Sequence, residues 1–246
     1  MKSSPNSTPS IPPARSRARP WLALLLLVPA PSLGAAAGMF WWPGTAWGKG
    51  LFIGSKLWLA LFPLVWWRWV ERRPLSWSPP RRGGFGVAVI SGLLIAGAIF
   101  AVYGLARRFG WIDPATVAAA ARQTGLDQPG VYLLGALYWI TLNSLMEEYV
   151  WRWFVFRQGE RLVGGVGGVL LSALAFTLHH IIALSGQVSG LVTALGSLGV
   201  FLGGVIWSGL YLRYRSVWPC YVSHALVDVP IFVIGWWLIF GGPAGG

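Results

Sequence analysis

The stretch Glu147-Glu148-Tyr149-Val150-Trp151-Arg152 sets two carboxylates and a guanidinium inside a long apolar run. An ionisable group at membrane depth costs about 3 kcal/mol or more, so its presence marks a functional site and calls for a named partner. On a helix, Glu148 and Arg152 stand four residues apart with the acid first, the favourable orientation for an intrahelical ion pair. Glu147 sits about 100° further round the axis. Glu148 is thus expected to be neutralised by Arg152, which leaves Glu147 free.

The composition around this stretch is that of a polytopic membrane protein. Of 246 residues, 55% are hydrophobic and only 11% charged, with 17 Trp and a mean hydropathy of +0.61. A soluble domain carries about 25% charged residues, so that class is excluded. The net charge of +12 comes from Arg and Lys that flank apolar runs rather than form a patch. It reads as topology and contact with anionic lipid, not as a nucleic-acid surface. Cys220 is the only cysteine, so no intrachain disulfide exists.

Residues 1–20 are rich in Ser, Pro and Arg and are expected to form a disordered basic tail on the cytoplasmic side. The apolar run 21–42 has two readings: a cleavable signal peptide, or a kinked first span passing Pro29 and Pro31, and the span is favoured. Further spans are expected at 51–70, ending in the belt Trp66-Trp67-Arg68-Trp69, and at 84–105. Asp113-Pro114 opens a short interfacial helix to about Arg122.

The acidic motif lies on a fourth span from about Val131, which ends at Arg157, Glu160 and Arg161. A fifth begins in the glycines 164–168 and runs to about Leu184. A sixth, at 190–212, carries Gly199 and Gly203 in a spacing that permits close helix contact, and a seventh covers 217–240. The expected fold is therefore an all-α transmembrane bundle of about seven spans. Its parts are the tail 1–20, N-terminal spans and a loop over 21–130, and a helical core over 131–240. Basic loops after spans two, four and six put the N-terminus inside, although Arg107 and Arg108 run against the pattern.

The only three histidines, His179, His180 and His224, lie in apolar runs downstream of the acidic motif. Phe176 and His180 share a helix face, with His179 turned away; His224 and Asp228 share another. Singly, each can be a packed core residue. Together they gather on three apolar helices and can converge on Glu147. Glu147 can then act as general base toward water, and a histidine can hold that water or donate to the oxyanion formed at a carbonyl. Glu147, His180, His224 and Asp228 equally offer ligands to a divalent metal such as zinc, though the H-E-x-x-H signature is absent. Cys220, four residues before His224, permits a Cys-His pair on paper but reads as a small apolar filler.

The order Glu147-Glu148-x-x-x-Arg152, Phe176-x-x-x-His180, His224-x-x-x-Asp228 resembles the CPBP family, the CAAX protease and bacteriocin-processing intramembrane endopeptidases. The resemblance extends from about Val131 to Val233. It implies that Glu147 activates water, that His180 helps bind it, and that His224 and Asp228 stabilise the oxyanion. Asp228 fills a place where the family often has Asn, and Trp151-Arg152-Trp153 departs from the family's Phe-Arg-Gly-like context. Glu148 and Arg152 are the structural support.

The resemblance further implies a hydrolase acting on a membrane-associated peptide or protein, in a bacterial inner membrane, by a favoured mechanism that requires no metal. If a metal is present, its expected ligands are Glu147, His180 and His224. The substrate can be a CAAX peptide, a leader peptide or a sorting signal. A proton-coupled transporter and a non-enzymatic immunity or scaffold protein are the competing classes. The first would more often show matching inverted repeats, and the second would be expected to lack a motif residue.

Overall fold

The computed structural model describes residues 14–241, all of whose regular structure is helical. Residues 1–13 of the expected tail lie outside the described range. Helix α1 is Ala14–Leu27 and α2 is Pro29–Ala36. Pro29 stands at the start of α2, where its missing N–H costs nothing, and α2 passes into a π-helical turn, Ala37–Trp41. Helix α3, Ala46–Val65, is capped by Thr45 and runs into a second π segment, Trp66–Val70. After α4, Phe85–Arg108, comes the short α5, Pro114–Thr124. The Asp113 side chain accepts from Ala115 N and Thr116 Oγ1 to cap α5, and those bonds hold its exposed carboxyl below the ordinary value.

The central run comprises α6 (Pro129–Tyr138), a π segment (Trp139–Asn143), α7 (Ser144–Glu148), another π segment (Tyr149–Phe156) and α8 (Arg157–Ser185). Helices α9 (Gly190–Tyr214) and α10 (Val217–Phe240) complete the bundle.

Among the described residues, six helical runs are long and apolar enough to cross a membrane, and one of them, Pro129–Ser185, has 57 residues. As a straight helix it would be about 85 Å long, against an apolar bilayer core of about 30 Å. It is not straight. At Gly164 the backbone takes φ 78°, ψ 177°, a conformation open essentially to glycine alone. The chain folds back there, so the run counts as two crossings and the bundle as seven, as the hydropathy pattern predicts. The arms approach closely beside the turn because Gly168 has no side chain: a Cβ there would lie 2.9 Å from Glu160 N.

Packing inside a bilayer draws on shape rather than on hydrophobic exclusion, and small residues set the closest contacts. Gly204 of α9 faces Ala173 of α8, where a Cβ would lie 3.1 Å from the Ala173 Cα. Gly92 of α4 similarly faces Leu226 and the Ser223 carbonyl of α10. The expected Gly199-x-x-x-Gly203 contact is not formed. Gly199 is exposed, Gly203 meets its own helix's Trp207, and Gly204, one position on, faces the partner helix.

One end of the bundle is tied by ion pairs. Arg161 forks onto Glu71 with both contacts at 2.8 Å, Gln158 Nε2 donates to Glu71 Oε1 at 2.6 Å, and Arg215 forks onto Glu160 at 2.7 Å. These residues come from the loop after α3, the arms flanking Gly164 and the α9–α10 turn. Three segments that sequence charge places on one side therefore meet at one end.

Candidate active site

Glu147 and Glu148 occupy the single α-helical turn between two π segments, Trp139–Asn143 and Tyr149–Phe156. π-Helical turns widen a helix and recur at functional sites. Here Ser144 Oγ lies 2.8 Å from the carbonyl of Trp139, five residues back, and 2.5 Å from Asp228 Oδ2 on α10. The second π segment is YVWRWFVF; its residues are buried from Val150 to Phe156 against α3, α8 and α9. Trp151 is held from α8 by Ser172 Oγ, which donates to its carbonyl at 2.8 Å.

Glu148 and Arg152 pair as expected, at 3.1 Å, and both side chains are fully buried. No Arg152 N–H meets hydrogen-bond geometry among the described residues, so the pair with Glu148 is one of charge and the faces of two aromatic rings add to it. The guanidinium carbon lies 4.6 Å from the Phe176 ring and 5.1 Å from the Trp207 ring, beside the Glu148 carboxylate. Desolvated cation–π contacts contribute about 2 kcal/mol each.

Glu148 also accepts a 2.7 Å hydrogen bond from His224 Nδ1. That bond fixes the proton on Nδ1 and turns Nε2 toward Glu147 Oε2 and Asp228 Oδ1, each at 3.8 Å. Trp207 stacks on the His224 ring at 3.9 Å and 18°, and its indole N–H donates to Ser223 Oγ at 3.1 Å. The imidazole is thus oriented by a carboxylate on one helix and an indole on another.

Glu147 is 7% exposed. Ligand atoms of Glu147, His179 and His180 lie within 4.8 Å of one another. His180 Nδ1 is 2.9 Å from the Phe176 carbonyl, which accepts its proton and leaves Nε2 with a free lone pair. Of the expected residues, Glu147, His180, His224 and Asp228 therefore meet in one cluster, with Glu148 and Arg152 beside it. Cys220 is buried, and its thiol donates to the Trp207 carbonyl at 3.2 Å, in the manner of a filler.

His179 does not turn away from the cluster. Its ring lies 4.1 Å from that of His180 and stacks on Trp151 at 5.3 Å and 10°, and its Nδ1 has no hydrogen-bond partner among the described residues. Successive helical residues differ by about 100°, but Glu147 and Trp151 of the facing arm present a surface broad enough to take both rings. His179 joins Glu147 and His180 in the set with metal-ligand spacing, where the sequence pattern places His224.

Lys56, Asn143 and Trp207, none of them in the motif pattern, also reach the site. Lys56 Nζ, from the middle of α3, donates to Asn143 Oδ1 at 3.2 Å. A lysine inside an apolar span is a readable signal by the rule that singles out Glu147. Asn143 stands one helical turn before Glu147. Trp207, among 17 tryptophans, carries no such signal.

These features define a polytopic helical membrane protein with a buried carboxylate and imidazole centre shared by three spans. Residues 129–230, about two fifths of the chain, match the family of type II CAAX prenyl endopeptidase Rce1-like proteins, the CAAX protease family that the motif order resembles. All the motif residues lie inside the matched segment. Neither curated proteins nor solved structures show a match.

Proposed function

We propose that this protein is an intramembrane endopeptidase in which Glu147 activates water for attack on a peptide carbonyl. The observation that carries the reading is the convergence of Glu147, His180 and His224, from three helices, on one buried point inside the matched segment. Water held between Glu147 and His180 Nε2 loses a proton to the carboxylate as it adds to the carbonyl carbon. The carbonyl oxygen, becoming negative, requires a donor, and His224 fills that role when its Nε2 carries a proton, with Asp228 alongside. Glu147 then passes its proton to the departing amine. Glu148 and Arg152 support the site by orienting His224.

The core over 131–240 carries this chemistry, and the spans over 21–130 enclose it and supply Lys56. The substrate is a membrane-associated peptide or protein: a CAAX-type C-terminus, a leader peptide or a sorting signal. The expected setting is a bacterial inner membrane, with the N-terminus and the ion-paired end cytoplasmic.

A second reading is favoured by one observation, the spacing of Glu147, His179 and His180 together with the unpartnered buried Nδ1 of His179. Those donors fit a divalent metal, which would supply Lewis-acid polarisation of the carbonyl or a more acidic water. The metal-free route is the one proposed, because a glutamate that is a tight ligand is a poor free base.

The test is incubation of the purified protein, and of Glu147→Gln, with membrane-protein and lipoprotein fractions of the host, with peptide products read by mass spectrometry. Products made by the wild type and not by Glu147→Gln support the peptidase. Proton flux in liposomes without peptide products would point to the transporter class instead.

A further inference from the structure

A second polar feature lies at the ion-paired end of the bundle, outside the residues assigned to catalysis. It is a cavity of about 240 Å³ whose walls include Ser76, Ser78, Arg81, Arg82, Arg157 and Arg215. Four arginines line one small volume. Arg215 is committed to Glu160 by a forked pair at 2.7 Å, whereas Arg81, Arg82 and Arg157 form no ion pair among the described residues. Arg157 is held instead by aromatic faces, its guanidinium carbon 5.2 Å from the Trp67 ring and 5.8 Å from the Tyr211 ring. Such a cation is fixed in place while its positive charge stays available.

The wall is built rather than incidental. Ser78 has φ 58° and Arg215 φ 55°, a left-handed conformation uncommon for residues other than Gly, Asn and Asp, and strain of this kind persists only where surrounding bonds over-determine it. Those bonds are present. Ser216 Oγ donates to the Ser78 carbonyl at 2.7 Å, Val217 N donates to Ser78 Oγ at 3.1 Å, and Trp218 Nε1 donates to the Trp77 carbonyl at 3.0 Å. They pin the loop after α3 onto the α9–α10 turn, so that Arg81 and Arg82 are presented beside Arg157 and Arg215. Exposed Trp69 and Trp77 mark this level as the interfacial belt.

We propose that this cavity binds a phosphate group, namely the headgroup phosphate of an anionic phospholipid in the leaflet at the ion-paired end. The planar, forked guanidinium matches phosphate oxygens two at a time, and three uncompensated cations select a headgroup with a net negative charge over one, such as phosphatidylcholine, that brings its own ammonium. The proposal is independent of the peptidase reading, because it uses none of the residues of that site.

The full-length protein, delipidated in a neutral detergent, is titrated with phosphatidylglycerol, with phosphatidylcholine, and with sodium phosphate against chloride at equal ionic strength. Occupancy is read by native mass spectrometry and stability by thermal unfolding. The expected result is one retained phosphatidylglycerol per chain and a raised Tm, with phosphatidylcholine giving neither. Arg81→Gln/Arg82→Gln should weaken retention by about tenfold or more while leaving the lipid-free Tm unchanged, since both side chains are exposed. A Tm rise with inorganic phosphate, lost in the double variant, would keep the phosphate site and assign it to a free anion. Equal retention of both lipids, or wild-type retention by the double variant, overturns the proposal.

Discussion

His224 donates its Nδ1 proton to Glu148 Oε1 at 2.7 Å, so the second glutamate of the acidic motif is shared between Arg152 and the histidine of another helix. Removing its charge therefore has two consequences. Glu148→Gln should strand the buried Arg152 guanidinium, at a cost of about 3–5 kcal/mol, and should loosen the His224 ring. Glu147→Gln, nearly isosteric and free of such a partner, should abolish cleavage with little change in Tm. Thermal unfolding in detergent beside peptide release compares the two; equal Tm losses would refute the division of labour.

His179→Ala separates the two readings of the catalytic step. Without a metal, His180→Ala and His224→Ala should each lose most of the activity, whereas His179→Ala should keep most of it and lose packing against Trp151, Phe176 and His180. If a metal sits between Glu147, His179 and His180, His179→Ala should lose both activity and bound metal. Elemental analysis of active protein, with chelation and add-back, gives the answer without relying on the variant alone.

Lys56 offers a test of how the N-terminal spans serve the core. Asn143→Ala should lower the turnover number at least as far as Lys56→Met does, and Lys56→Arg should restore part of the loss in Lys56→Met. Because one acts through the other, the double variant should be no worse than the worse single. Additive losses would show that Lys56 acts by another path.

At the ion-paired end, burial disfavours ionised Glu71, yet hydrogen bonds from Arg161 and Gln158 hold its carboxyl below the ordinary value of 4.5. A folded pKa below the unfolded one contributes stability above about pH 4.5, and that contribution is lost as pH falls through the folded value. As pH falls from about 5 through the folded value, the Tm of the wild type should therefore fall more steeply than that of Glu71→Gln. Parallel curves for the two proteins would remove Glu71 from the account.

Gly164 sits in open space at φ 78°, so a substitution there meets no clash and only the backbone objects. Gly164→Ala should cost more than about 1 kcal/mol from conformation alone. It should also lower the yield of folded protein, since both arms depend on the turn. An unchanged Tm would mean that the turn can be made otherwise.

The sequence by itself determined the class of fold, the pair Glu148–Arg152 and which helices bring Glu147, His180, His224 and Asp228 within reach of one another. Each rests on a local signal: apolar runs of bilayer length, acid-first spacing along one helix, and ionisable groups where lipid makes them costly. Relative depth was not local. Judged from the middles of their spans, Glu147 and His180 are offset by about 10 to 15 Å, yet they lie 17 and 16 residues from Gly164 and so come level when the chain folds back there. The tertiary structure alone decided that His224 hangs from Glu148, that His179 joins the cluster, that Gly204 rather than Gly199 makes the close contact, and that Lys56 reaches Asn143. These are relations between helices. They depend on π turns that shift the helical phase and on one glycine's dihedral angles, neither of which a hydropathy period records.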